Sequence, residues 1–324
     1  MTLHAEDLDF LGGDLVRPEC LLATRAGKLY AADWRGGVTK IAPDGQQSLI
    51  LASSGPEAGP VPIKPNGIAM EPDGSFLLAN LGDAGGLWRL RRDGALTPVA
   101  TEIDGQPIPP ANFPLVDSSG RIWLTISTRR QPRALGYRPD IDDGYILRID
   151  GRGIALAADG LGYTNEVQVH PSGDWLYVNE TFGRRLSRFK LQADGRLTDR
   201  ETVAEFGAGT YPDGLAFDAE GQIWITSIIS NRVIRVDDRG NQELILEDVD
   251  KERLAEIEVA FLSGRLDRPH LDTAHGRVLH NISSLTFAGP DLKTAILGCL
   301  LGDRLALFPS PVAGHPPVHW TWEG

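Results

Sequence analysis

Cysteine is scarce in this sequence, and so are the signals that direct a chain out of the cell. Only Cys20 and Cys299 occur among the 324 residues. Two cysteines do not make a disulfide framework, which favours a reducing compartment. The first ten residues, MTLHAEDLDF, are acidic and lack the apolar stretch of a secretory signal. We therefore expect a cytoplasmic protein.

Excess basic charge and long apolar runs are also missing. The chain has 32 Lys and Arg against 44 Asp and Glu, a net charge of −12. Binding to nucleic acid or to an anionic membrane needs a basic surface, so we expect neither partner. No apolar run approaches the roughly 18 residues of a membrane-spanning helix. A small molecule is the expected partner, and the sequence contains no signal of oligomeric state.

Glycine is abundant, with 37 residues, and it marks one phrase that recurs six times. A polar residue precedes a short apolar run, a turn and a second apolar run. The clearest copies are PNGIAMEPDGSFLLAN, ANFPLVDSSGRIWLT, TNEVQVHPSGDWLYVN and PDGLAFDAEGQIWITS. In five copies the polar residue lies eight positions before the turn glycine, as Glu19 does before Gly27. The equivalent positions are Glu19, Asn66, Asn112, Asn165, Asp213 and, aligned through Phe287, Ser283.

The interval between copies is 46 to 53 residues until the last one, which is 70 residues. Periods of about 40–50 residues with short alternating strands are typical of propeller blades. The sequence therefore predicts an all-β fold, a six-bladed β-propeller of four-stranded antiparallel blades, as a single domain over residues 1–324. The predicted blades span 17–63, 64–110, 111–163, 164–211, 212–281 and 282–324. The N-terminal EDLDFLG is a candidate outer strand of the last blade, and VHWTW near the C-terminus alternates like another strand.

Two long segments are expected at the mouth of the channel. Residues 127–144 form an arginine-rich loop, and residues 248–282 form an insertion before the sixth blade. Loops of this length usually serve binding. Within the insertion, the spacing of Leu254, Ile257, Phe261 and Leu262 predicts a short helix, with Asp250 as its N-cap.

The shared register predicts a ring of oxygen ligands. Equivalent positions of a propeller converge at one end of the channel, and the carboxylates of Glu19 and Asp213 would repel each other there without a cation. Oxygen-only ligands suit hard cations, so we expect one divalent ion, Ca²⁺ first, with Mn²⁺, Fe²⁺, Mg²⁺ and Zn²⁺ as alternatives. For any one Asn-Gly or Asp-Gly pair, ordinary turn chemistry is the competing interpretation.

Four segments carry a resemblance to a known family: RPE at 17–19, Asn112 before VDSSGRIW, TNE at 164–166 and PDGLAFDAEGQIWIT at 212–226. They resemble the senescence marker protein/gluconolactonase (regucalcin-like) family over roughly residues 15–309. The resemblance implies a six-bladed propeller with one divalent metal at the channel mouth, and hydrolysis of sugar-type lactones. It places Glu19, Asn165 and Asp213 at metal positions and Asn112 at a position that contacts metal or substrate. Asp213 is also the implied catalytic acid/base.

Two departures from the family pattern concern the substrate. Pro110 stands where the family often has Arg, and TRRQPR stands where it often has Glu. An arginine-rich mouth suits a carboxylate, so we predict that Arg130 binds the acidic group of a substrate. Asn66, Asn112 and Ser283 are further predicted substrate contacts, and Tyr137 is a predicted wall of the pocket.

The predicted activity is therefore metal-dependent opening of a sugar-type or acidic lactone. A phosphotriester hydrolase of the same fold is an alternative, because diisopropyl fluorophosphatase has similar ligand types. A strictosidine-synthase-like condensation is a further activity of the same fold. It needs no such ring of metal ligands, so the ring argues against it. The alternative from another class is a non-catalytic propeller in which the metal only orders the mouth and a small molecule is bound, since a propeller by itself does not define a function.

Overall fold

Short alternating strands and tight glycine turns form six four-stranded antiparallel sheets around a central channel, a six-bladed β-propeller. The computed structural model describes residues 3–53 and 63–323. The predicted end of the first blade falls partly on residues 54–62, which lie outside the described residues. The predicted fold class is confirmed.

The strands follow one another from the channel outward in the first five blades. Blade one contains β2 Leu21–Ala23, β3 Leu29–Asp33, β4 Gly37–Ile41 and β5 Gln47–Leu51. Blade two contains β6 Pro65–Met70, β7 Phe76–Asn80, β8 Leu87–Leu90 and β9 Leu96–Ala100. The strands β10 Glu102–Ile103 and β11 Gln106–Pro107 pair as a small hairpin between blades. Blade three contains β12 Phe113–Val116, β13 Ile122–Ile126, β14 Gly144–Asp150 and β15 Gly153–Leu161.

Blade four contains β16 Thr164–Val169, β17 Trp175–Glu180, β18 Arg185–Leu191 and β19 Leu197–Glu205. Blade five contains β20 Tyr211–Phe217, β21 Ile223–Ile228, β22 Arg232–Val236 and β23 Gln242–Glu247. Blade six combines both ends of the chain: β24 Ile282–Ala288, β25 Thr294–Cys299 and β26 Leu305–Pro309 are joined by β1 Asp9–Leu11, which pairs with β26. The N-terminal strand therefore completes the last blade.

The glycines at the repeated turns adopt the left-handed backbone that the tight turns require. Gly27 and Gly74 have φ of 73° and 83°, and Gly221 has φ of 78°. These turns join the first and second strands of a blade, so they fix where the inner strand ends. They hold the polar start of each inner strand at the other end of the channel.

The insertion before blade six contains two helices, α1 Lys251–Leu262 and α2 Arg268–Asp272. Asp250 is the N-cap of α1 and accepts a hydrogen bond from the Arg253 amide, as predicted. Ile257 and Phe261 are buried, as expected of the apolar face of the helix. Leu262 is 69% exposed, so its assignment to that face was wrong. In the arginine-rich loop, residues Arg133–Gly136 form one 3₁₀ turn.

The C-terminal VHWTW is not a strand, which corrects the expectation from its alternation. Residues 318–321 form turns. Trp322 packs against blades one and two, whereas Trp320 packs against residues of blades one, five and six. The Trp322 ring lies 6.1 Å from the ring of Tyr30, with Arg92 stacked 4.1 Å from its centre. Within the described residues, no helix has the length and apolar character needed to cross a membrane.

Candidate active site

Irregular pairing of the inner strands determines how the repeated polar side chains are oriented. In four blades the pairing of the first two strands shifts register at this point. The residues inside these β-bulges are Asn66, Asn165, Asp213 and Ser283. A bulge re-aims a side chain that regular pairing would alternate between the two faces of the sheet. Glu19 and Asn112 come just before β2 and β12 instead.

Gly67 and Gly214 follow two of these residues because neighbouring blades approach closely there. A Cβ on Gly67 would lie 2.6 Å from the Phe113 Cα, and one on Gly214 would lie 2.5 Å from the Ser283 carbonyl oxygen. Neither glycine is in a turn, since both lie within inner strands. The competing turn interpretation therefore does not apply to these two pairs.

Hydrogen bonds between neighbouring blades hold the register positions in place. The Asn66 side chain donates to the Asn112 carbonyl oxygen at 3.1 Å, and the Ser283 hydroxyl donates to the Glu19 carbonyl oxygen at 3.0 Å. Asn165 donates to the Thr181 hydroxyl at 3.0 Å, and that hydroxyl donates to the Pro212 carbonyl oxygen at 2.8 Å. Each of these bonds is buried, so the ring is rigidly built.

A cavity at this end of the channel collects most of the predicted site residues. It encloses about 370 Å³, including the space at its mouth. Its lining includes Glu19, Asn66, Asn112, Asn165, Asp213 and Tyr137. Two predicted contacts are not part of the lining. Ser283 is fully buried behind Glu19, and Arg130 lies on the surface, paired with Asp143 at 3.2 Å.

The chemistry of this lining fits a hard cation. Glu19 and Asp213 are 6% and 4% exposed, so both carboxylates are withdrawn from water. The side-chain oxygens of Asn66 and Asn112 are buried without any hydrogen-bond partner. Arg17 pairs with Glu19 at 2.9 Å, but Asp213 has no ion-pair partner in the part of the chain that the structure describes. A buried carboxylate and two unpaired amide oxygens at one site are costly unless a cation compensates them. Among residues 3–53 and 63–323, no group of three or more His, Cys, Asp or Glu could hold a metal ion. A cation at this cavity would therefore need amide oxygens among its ligands.

The electrostatics of the buried acidic residues also favour a bound cation. Burial, and then the nearby charge of Glu19, raise the pKa of Asp213 well above its usual range. Burial also raises the pKa of Glu166, which accepts a hydrogen bond from the Leu215 amide at 2.9 Å, and Asp213 and Glu19 add to that rise. Three acidic groups within one electrostatic neighbourhood disfavour each other's charge, and a divalent ion would relieve that effect.

Three arginines that line the cavity were not assigned from the sequence. They are Arg17, Arg133 and Arg268. Arg17 donates to Glu19 at 2.9 Å and stacks 4.3 Å from the centre of the Trp34 ring. The arginine-rich loop was the correct signal for Arg133, but the choice of Arg130 within it was not supported. Arg268 had no signal, because the fold of the insertion alone brings it here.

Aromatic side chains form the wall between the cavity and the insertion. The ring of Tyr137 lies 5.3 Å from that of Tyr163 and 4.6 Å from that of Phe182. Phe261 of α1 packs 6.0 Å from Phe182 on the far side. Tyr137 is 4% exposed and lies in the lining, which agrees with its predicted place in the pocket wall.

A second, larger cavity of about 860 Å³ lies at the opposite end of the channel. It is lined by the ends of inner strands, such as Met70 and Val169, and by His315 and His319 of the C-terminal segment. Its lining is mainly apolar and contains none of the register residues. Of these two cavities, only the smaller one is lined by the repeated polar residues.

Comparison with known proteins gives partial sequence matches. The chain is 34% identical over 129 residues to a 6-deoxy-6-sulfogluconolactonase of Pseudomonas putida, covering 39% of this chain and 41% of that protein. It is 28% identical over 137 residues to strictosidine synthase-like protein 13 of Arabidopsis thaliana, covering 41% and 33%. The matched part thus spans about two fifths or less of the length of these relatives.

Solved structures show the same fold over nearly the whole chain. A gluconolactonase from Xanthomonas campestris superposes with a TM-score of 0.67 at 21% identity, covering 94% of this chain and 90% of that one. A calcium-binding regucalcin from Agrobacterium tumefaciens gives a TM-score of 0.67 at 17% identity, covering 97% and 98%. The family model described as the SMP-30/Gluconolactonase/LRE-like region matches residues 17–247, and the chain therefore belongs to this family.

Proposed function

We propose that the protein is a metal-dependent lactonase that opens a sugar-type or acidic lactone. Membership of a gluconolactonase-like family supports lactone hydrolysis. The observation that carries the proposal for this chain is the cavity in which Glu19 and Asp213 meet the unpaired oxygen of Asn112. The name of the Pseudomonas relative, a sulfogluconolactonase, supports an acidic sugar lactone as one substrate type.

Glu19, Asn112, Asn165 and Asp213 are the proposed ligands of one divalent ion. When bound, such an ion supplies Lewis acidity toward the lactone carbonyl. Ca²⁺ is the first candidate because the donors are all oxygens, and the name of the calcium-binding regucalcin neighbour supports it.

The side chains divide the remaining work. Asp213 accepts a proton from the attacking water and returns it to the leaving alkoxide as the ring opens. Asn66 and Asn112 present buried amide oxygens that accept a hydrogen bond from a hydroxyl of the substrate. Tyr137 and Phe182 form an apolar wall that limits bulk water around the reacting ester.

Metal analysis and one substitution test this proposal. We expect one divalent ion per chain after purification without chelator. Asp213→Asn keeps the shape of the side chain but removes its charge and basicity, so we expect turnover of gluconolactone to fall by roughly 10²–10⁴-fold. The matched control is Asp238→Asn on the same blade, because Asp238 lies exposed in an outer turn.

The proposal would be contradicted by metal-free protein with full activity, or by Asp213→Asn with unchanged turnover. Circular dichroism and thermal melting must show that the variant is folded. Metal content of Asp213→Asn, measured independently of turnover, separates loss of the ion from loss of the proton acceptor.

A further inference from the structure

The cavity that contains the candidate ligands also carries an excess of positive charge. Its lining includes three arginines, Arg17, Arg133 and Arg268, against two carboxylates. We propose that Arg133 and Arg268 form an oxyanion subsite for a charged group on the substrate, separate from the ester that is hydrolysed. The inference rests on the proposed lactonase function and identifies the substrate class as lactones carrying a carboxylate, sulfonate or phosphate.

Arg133 is positioned by its own loop and has charge available for a ligand. One of its terminal nitrogens donates to the Ser127 hydroxyl at 3.0 Å, and its guanidinium lies 5.5 Å from the centre of the Tyr163 ring. These two contacts fix its direction without neutralising it. Arg133 has no ion-pair partner in residues 3–53 and 63–323.

Arg268 reaches the same volume from a different part of the chain. It begins α2 of the insertion, and its side chain remains 36% exposed while its Nε bonds Asp272 at 2.8 Å. That bond engages one edge of the guanidinium and leaves further N–H donors of its fork. Arg133 and Arg268 both line the cavity that contains the candidate ligands. The two side chains therefore border one volume, although they come from different segments of the chain.

Arg17 has a different task. It is 9% exposed, its Nε bonds Glu19, and its guanidinium stacks on Trp34. It therefore stabilises a candidate metal ligand. Arg133 and Arg268 remain as the pair with N–H donors available to a ligand, although Arg268 already pairs with Asp272 through its Nε. Guanidinium forks are well suited to the oxygens of a carboxylate, sulfonate or phosphate.

Charge balance favours an anionic substrate over a neutral sugar. The two carboxylates of the lining are the proposed ligands of a divalent cation, so they do not offset the guanidiniums. Asp272 offsets part of the charge of Arg268, whereas Arg133 has no ion-pair partner in the part of the chain that the structure describes. Two guanidiniums at one mouth repel each other, and an anion between them would relieve that repulsion. A neutral sugar lactone would leave the charge of Arg133 without an ionic partner.

The test compares three lactones of the same ring: gluconolactone, its relative with a carboxylate at carbon 6, and its relative with a sulfonate at that carbon. We expect a higher kcat/KM for the two charged lactones than for the neutral one. Arg133→Gln and Arg268→Gln should each raise KM for the charged lactones by about tenfold to a hundredfold, the value of one charge-assisted contact. The same two variants should change the KM of the neutral lactone by less than about twofold, which is the size of effect expected of a surface substitution that removes no substrate contact.

Two matched variants serve as controls. Arg130→Gln alters the same loop outside the cavity, and Arg265→Gln alters the insertion at an exposed residue bonded to Ser263. Neither should change the preference between lactones. Arg133→Lys keeps the charge but not the fork, so we expect it to restore binding of the charged lactones only in part. Equal effects of Arg133→Gln on charged and neutral lactones would overturn the subsite.

Equilibrium binding separates the subsite from the lactonase proposal. Calorimetry with glucarate, which carries two carboxylates, and gluconate, which carries one, needs no turnover. Tighter binding of glucarate that is lost in Arg133→Gln supports the subsite even if no lactone is hydrolysed. Lactone turnover without any preference for charged substrates, together with equal binding of the two acids, would reject the subsite while the lactonase proposal stands.

Discussion

At the scale of one residue, Glu180 shows how the protein stabilises a buried charge. It lies at the end of β17, fully buried, and accepts hydrogen bonds from the Gly162 amide and Arg185 at 2.6 Å and from Arg200 at 2.7 Å. Burial alone would raise the pKa of this carboxyl, but the hydrogen bonds from Arg185 and Gly162 reverse that effect, and the pKa is lowered. The ionised form is therefore the native one.

We expect Glu180→Gln to lower the free energy of unfolding by about 3 kcal/mol, because Arg200 loses its ion-pair partner and Arg185 keeps only the exposed Asp142. The stabilisation by Glu180 is present above the ordinary carboxyl pKa and is lost as the pH falls through the lowered folded value. The variant should therefore lose stability less steeply on acidification. Urea unfolding of both proteins between pH 3 and pH 7 measures this, and parallel pH profiles would contradict it.

The candidate ligands could be predicted at this scale because one offset repeats. Glu19, Asn165 and Asp213 occupy the same position of the repeat, so they can be identified from the sequence without knowing how the loops fold. The sequence did not reveal that bulges aim Asn165 and Asp213, since a bulge depends on how two strands pair. Arg268 had no repeated position at all, and only the fold of the insertion brings it to the cavity.

At the scale of elements, helix α1 is held to the ring by one face. Phe261 is 2% exposed and packs 5.4 Å from the ring of Tyr211, and Glu258 bonds the Tyr211 hydroxyl at 2.6 Å and also pairs with Arg184. The periodicity of apolar residues and the Asp250 cap predicted the helix. The anchoring pair of Glu258 and Arg184 was not predictable, because its members lie on separate blades and segments of the chain.

We expect Phe261→Ala to loosen the insertion without unfolding the propeller. Removing a buried phenylalanine costs about 3–5 kcal/mol, and that cost falls on the contact between α1 and Tyr211. Hydrogen exchange should rise in residues 251–272 and stay unchanged in the inner strands. Val259→Ala is the control, since Val259 is 60% exposed on the same helix. Faster exchange throughout all six blades would show instead that the helix supports the whole ring.

At the scale of the whole molecule, blade six closes the ring by combining both ends of the described chain. β1 pairs with β26, while Leu3 forms a bridge to Leu246 of blade five. Ala5 and Leu8 are buried in the cluster shared by blades five and six. The acidic EDLDFLG segment indicated this closure from the sequence. The prediction of a strand at VHWTW was wrong, because alternation along a chain does not reveal whether an edge strand is available to pair with it.

Closure of this kind makes the N-terminal segment a structural part of the propeller. A variant beginning at Gly12 lacks β1 and the buried Leu8, whose burial alone is worth about 2 kcal/mol. We expect a lower melting temperature, and self-association through the exposed edge of β26, since an unpaired edge strand recruits another. Calorimetry and light scattering measure the two effects. Asp9→Ala, which changes an exposed side chain and keeps the strand, should behave as the parent protein. A truncated protein that melts like the parent and stays at the same size would show that β26 needs no partner, and that the ring is closed instead by contacts such as the Ser283 bond to Glu19.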